Sequence, residues 1–145
     1  MVRHLSICAA VLMLALAPMR SQAAEEDPRG AVGCLWMLYA TLERNVRACD
    51  IGGDDPEFFE ALQSGVDRIE AFIFRNSDTT EADLERFLVR HDELAIKLGI
   101  DICAPQSETL KMYKTLREHF GAEGLTRNIN EVLEVERPVL SNPCL

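Results

Sequence analysis

The chain is 145 residues long and carries 24 acidic against 15 basic side chains, a formal net charge of −9. Such a surface disfavours nucleic acid and anionic membrane, because phosphate binding needs clustered Lys and Arg. It fits a solvated acidic face, or one matched to a basic protein partner.

The first residues read as an export leader. Arg3 and His4 make a short basic start, and residues 5–18 are almost wholly apolar. Ser21-Gln22-Ala23 then supplies a small-x-small site, which places cleavage after Ala23. The apolar run is short of the roughly 20 residues that a spanning helix needs. Charged residues follow it closely. Residues 1–23 are therefore expected to be a signal peptide and residues 24–145 a single helical domain, periplasmic or secreted, with no membrane insertion after cleavage. Cys8 would leave with the leader, and Ile7 stands where a lipidation site requires a small residue. Losing Arg3 and Arg20 leaves 13 basic residues against 24 acidic, a net charge of −11.

The rest reads as helix, with no period-two alternation and no Asn-Gly or Asp-Gly hairpin turn. A first helix is expected over 32–49, with Leu35, Leu38, Leu42, Val46 and Cys49 on one stripe. Trp36, Met37, Tyr39 and Ala40 make its first half apolar nearly all round, the mark of a central helix. Ile51-Gly52-Gly53 is expected to end it. Asp55, Pro56 and Glu57 then suit a helix cap, first position and first turn. The second helix should carry Phe58, Phe59, Leu62, Val66, Ile69, Phe72 and Ile73 on one face and fade near Asn76. Thr80 with Asp83 resembles a capping box. The third helix has the stripe Leu84, Phe87, Leu88, His91, Leu94, Ala95, Leu98 and a stop at Gly99. A fourth is expected from about Pro105 to Gly121, and a fifth over about 123–136, closed by Pro138.

Together these predict an all-α fold: a compact disulfide-stapled bundle of four to five antiparallel helices. The cysteines sharpen it. Cys34, Cys49, Cys103 and Cys144 remain after cleavage, and an exported chain keeps such cysteines as bridges. Cys34 and Cys49 sit about 22 Å apart along one helix, whereas a disulfide needs Cα atoms within about 7 Å. With helices alternating up and down, Cys103 arrives beside Cys49. A last helix running up, followed by an extended tail, returns Cys144 to Cys34. The expected pairs are Cys49–Cys103 and Cys34–Cys144, the second contributing about 4–5 kcal/mol on the loop-entropy account.

Motifs for chemistry are sparse. Cys-x-x-Cys, Gly-x-Ser-x-Gly, the phosphate-binding glycine loops, His-Glu-x-x-His and Glu-x-x-His do not occur. No cofactor is expected. His91, inside the third helix's apolar stripe, is read either as a ligand or pH-sensitive group or as an interior histidine hydrogen-bonded to a neighbour. Met37 and Met112 are candidate axial ligands to haem or copper, or core filling. Trp36, Tyr39 and Phe74 lie off the main stripes and form either a second packing layer or a partner-binding patch.

The function expected first is a non-enzymatic exported protein. It would act through protein–protein interaction as a regulator, inhibitor or immunity protein, or chaperone of another envelope or secreted protein, basic partners included. The alternative is a small-ligand, metal or haem carrier holding cargo between helices through His91, Met37 or Met112. A hydrolase using two carboxylates brought together in space stands third.

Overall fold

The structure is a computed structural model and describes residues 30–141. The leader and Cys144 lie outside the described residues. Within them the chain forms four helices and no strand: α1 Val32–Ala48, a single 3-10 turn Gly52–Asp54, α2 Pro56–Asn76, α3 Glu81–Lys97 and α4 Glu108–Leu133.

Most helix ends follow the local chemistry expected of them. The Asp55 side chain accepts the Phe58 N–H at 3.1 Å, one position before Pro56. Thr80 and Asp83 make a reciprocal capping box. Gly99, at φ 65°, ends α3, with the Ile100 N–H returning to the Ala95 carbonyl. Two ends differ from expectation. α1 closes through Asp50, at φ 53°, with the Ile51 N–H on the Val46 carbonyl, so the turn comes before Gly52 and Gly53. α4 starts at Glu108 and not near Pro105, because the Ser107 hydroxyl accepts the Leu110 N–H.

α1 has no side-chain cap at its N-terminus. The tail supplies the missing acceptor: the Gly33 N–H donates to the Leu140 carbonyl at 2.8 Å. A Cβ on Gly33 would sit 2.8 Å from that same oxygen, so only glycine lets the tail come this close.

Trp36 meets Glu70 and Glu43 meets Gln63, so α2 runs antiparallel to α1. Trp36 meets Phe87 and Arg44 meets Asp92, so α3 runs back up beside α1. Cys103 then bonds Cys49, Cα–Cα 5.4 Å, as expected. Cys34 is also disulfide-bonded. The expected partner, Cys144, lies outside the described residues.

The end of the bundle corrects the expected topology. The expected last helix is present as the part of α4 beyond Gly121, but it does not run up. α4 is interrupted at Gly121, whose φ 60° and ψ −179° belong to a region essentially restricted to glycine. Before the break, α4 lies across α1 and the start of α2, through Asn45 with Thr109 and Phe58 with Tyr113. Beyond it, Ile129 lies over Gly65, Asn130 meets Arg68 and Glu136 meets Asn76, so this part runs parallel to α2 and antiparallel to α1. The tail therefore begins already beside the start of α1, where Arg137 donates to the Gly30 carbonyl at 3.2 Å.

The buried core comes from α1, α2 and α4, with Phe58, Phe72, Leu42, Leu62, Ile69, Leu125 and Ile129 fully enclosed. α3 contributes one buried residue, Leu84.

Candidate functional site

α3 packs on the core through its first half only. Leu84 is buried, Phe87 and Leu88 are partly buried against the core, and the Phe87 ring meets Trp36 edge-on at 5.4 Å. The second half separates from α1 and from the start of α4 and leaves a cleft of about 420 Å³. Its walls are Met37, Leu38 and Leu42 of α1, Phe87 and His91 of α3, and Thr109 and Met112 of α4. Two adjoining hollows of about 310 and 360 Å³ continue it toward Leu98, Ile100 and Ile102. His91 borders all three spaces.

Polar groups are few and mostly engaged. Asn45, 2 % exposed, donates to the Thr109 hydroxyl at 3.2 Å and ties α1 to α4 at the cleft floor. Arg44 crosses the rim, its Nε donating to Asp92 at 2.8 Å and Nη1 to Glu85 at 3.3 Å. Hydrogen bonding to Asp92 holds its guanidinium above the usual range. His91 Nδ1 lies 4.0 Å from Asp92 Oδ1 on the same rim.

The candidates named from the sequence separate here. His91, Met37 and Met112 come from three helices onto one cleft. Met112 is 39 % exposed and does not fill the core. Of the two readings open for Trp36 and Tyr39, packing layer or partner patch, their place is among the packed residues: each is 3 % exposed and belongs to the core. Trp36 Nε1 donates to Glu70 at 3.0 Å, and burial pushes the Tyr39 hydroxyl pKa up. Phe74 is 41 % exposed on α2 and does not line the cleft.

Sequence reasoning missed how many large apolar side chains near the end of α3 are exposed. Leu94, Ile96, Leu98 and Ile100 are 53, 79, 62 and 54 % exposed, all within seven positions. The available signal was composition: Ile96 and Ile100 fall outside the predicted stripe, and a surface helix end has no structural need for them.

No group of three His, Cys, Asp or Glu side chains that could hold a metal occurs among the described residues. No helix among them is long and apolar enough to cross a membrane. Glu108 lines the main cleft, Asp101 joins it on the hollow toward Leu98, and Asp92 on the adjoining rim is engaged by Arg44. Comparisons with protein-family models, with curated proteins and with solved structures find no match.

Proposed function

We propose that this chain is an exported, non-enzymatic interaction protein whose α3 cleft receives an amphipathic helix of another envelope or secreted protein. The carrying observation is the pair Leu94 and Leu98, one helical turn apart, 53 and 62 % exposed and lining the hollow beside the apolar cleft. Exposed apolar side chains grouped beside a cleft suit an interaction site. The cleft and its adjoining hollows follow α1 from Cys34 to Ala48, about 21 Å of helix, which accommodates roughly four turns of a partner helix. Its apolar walls suit the anchors of helix-in-groove recognition. The chain's net charge of −9 favours a partner with basic flanks. Export rests on the leader-like residues 1–23.

A photo-crosslinking side chain placed at position 96, with position 74 as the control, tests this in intact cells. A discrete adduct at 96 and none at 74, lost when Leu94 and Leu98 are changed to Asp, is the expected result. Equal labelling at both positions, or none at 96, rejects the reading.

The convergence of Met37, His91 and Met112 on one cleft supports a second reading, a carrier for a small apolar ligand or a soft metal ion. Protein purified from its native envelope would then carry cargo that His91→Ala and Met112→Leu remove. An empty protein, with no thermal shift across a ligand panel, rejects it.

A further inference from the structure

We propose that the second half of α3 is a tethered arm over the cleft, held by Arg44 and the Cys49–Cys103 bridge and released when that bridge is reduced. The apolar residues of α3 that pack on the core end at Leu88, and Leu84 alone is buried. From Val89 onward the helix rests on two kinds of link. One is the rim ion pair of Arg44 with Asp92, at 2.8 Å, between side chains that are each about one-third exposed. The other is the covalent bond from Cys49, at the end of α1, to Cys103 in the loop after α3. Apolar contact, which dominates elsewhere in this fold, does not hold this segment. Local opening draws on such weakly buried elements, and it leaves the α1–α2–α4 core intact.

Cys103 is exposed and Cys49 half-buried, so the bridge is open to attack. A dithiol reductant supplies the two electrons and two protons. Its first thiolate attacks Cys103 Sγ and expels the Cys49 thiolate, which takes up a proton. Its second thiol then displaces Cys103 from the mixed disulfide, leaving two protein thiols and an oxidised, cyclic disulfide of the reductant. Freed of the bridge, residues 89–100 lose the link that keeps their apolar side chains over the cleft. That the arm governs access to a partner rests on the binding reading proposed above. The release itself does not.

Amide hydrogen exchange on the full chain tests the release with no partner present. The double variant Cys49→Ser/Cys103→Ser removes this bridge and keeps the one at Cys34. Peptides covering 89–100 are expected to exchange at least about ten-fold faster than in the oxidised wild type, with peptides of α2 and of 122–133 within about two-fold. Arg44→Gln, with the bridge intact, should accelerate the same α3 peptides by about two- to five-fold, the range for one exposed ion pair. Unchanged exchange over 89–100 in both variants overturns the proposal. So does equal acceleration in α2, or failure of the double variant to fold, since the bridge would then hold the whole bundle. A negative crosslinking result at position 96 with a positive exchange result removes the partner and leaves the arm.

Discussion

Gly65 sits in the middle of α2, buried beneath Ile129, and a Cβ added there would lie 2.3 Å from the Ile129 Cδ1 atom. Carbon atoms in contact prefer about 3.5–4.0 Å, so the pair must separate by more than an ångström in Gly65→Ala. Ile129 is 0 % exposed and has little room to yield. Overpacking of this kind costs about 1–3 kcal/mol, while alanine gains about 1 kcal/mol over glycine in a helix interior. The net expectation is a destabilisation of about 0–2 kcal/mol. Ile129→Val deletes Cδ1 at its own cost of about 0.5–1.5 kcal/mol. The next Ile129 atom, Cγ1, is 3.8 Å from the added Cβ, an ordinary contact. In the Ile129→Val background the clash is gone and the propensity gain survives, so Gly65→Ala should stabilise by about 0.5–1 kcal/mol. The cycle therefore predicts a coupling of about 1–3 kcal/mol, read from urea denaturation of the oxidised chain by far-ultraviolet circular dichroism. With urea slopes of about 1–3 kcal/mol per molar, midpoints resolve an effect of that size. A coupling below about 0.5 kcal/mol would refute the close approach of α2 and α4.

Three further outcomes follow from single groups. The Tyr113 hydroxyl is buried with no hydrogen-bond partner among the described residues, so Tyr113→Phe should leave thermal stability unchanged or raise it by about 1 kcal/mol, and a clear loss would reveal an unseen partner. Asp50 holds a left-handed conformation at the end of α1, where glycine carries no Cβ penalty. Asp50→Gly should therefore stabilise by about 0.5–1 kcal/mol, and a lower melting temperature would show that its side chain holds the turn. The Asp83 carboxyl lies below its usual range through the Thr80 hydroxyl and then the Thr80 N–H, and Glu136 through Asn76 and then Arg75. Both folded-state pKa values are depressed, so their stabilisation is present above the unfolded carboxylate range, near pH 4, and is lost as pH falls below it. Thr80→Ala should flatten that acid dependence in a pH series of melting curves, whereas an unchanged slope would count against the capping box.

Helix existence and most of the caps were legible because they depend on neighbours in sequence. Asp55, Pro56, Thr80, Asp83 and Gly99 act within one turn of where they stand. The bridge Cys49–Cys103 was legible because short loops force the second and third helices to alternate in direction. The buried side of α1 was legible in its second half, where Leu42 and Val46 are buried, and not in its first. Its first half is apolar all round, so periodicity cannot say which side meets α2, and the structure turns Trp36 and Tyr39 inward while Leu38 is 37 % exposed on the cleft. Gly121 was recognised as a break, but a glycine can reverse a helix or only bend it. The choice belongs to the contacts of Ile129 and Asn130 with α2, far away in sequence.

The same gap between pattern and packing locates the cleft. The stripe from Leu84 to Leu98 has the spacing of a helix laid on a core along its whole length, yet only its first half is used that way. Amphipathic spacing records that an apolar face needs cover; it does not record whether the chain itself provides it. Here α4, bent at Gly121, is committed to α2 through Ile129 and Asn130, and to α1 through Thr109 and its Asn45 bond. No helix among the described residues lies over Leu94 and Leu98. Burying such side chains would each be worth about 1.5–3 kcal/mol, and the fold forgoes that gain while covalently fixing the end of the exposed segment through Cys103. A bridge at that point holds Leu94 and Leu98 in one place at low entropic cost, as the proposed binding role would require.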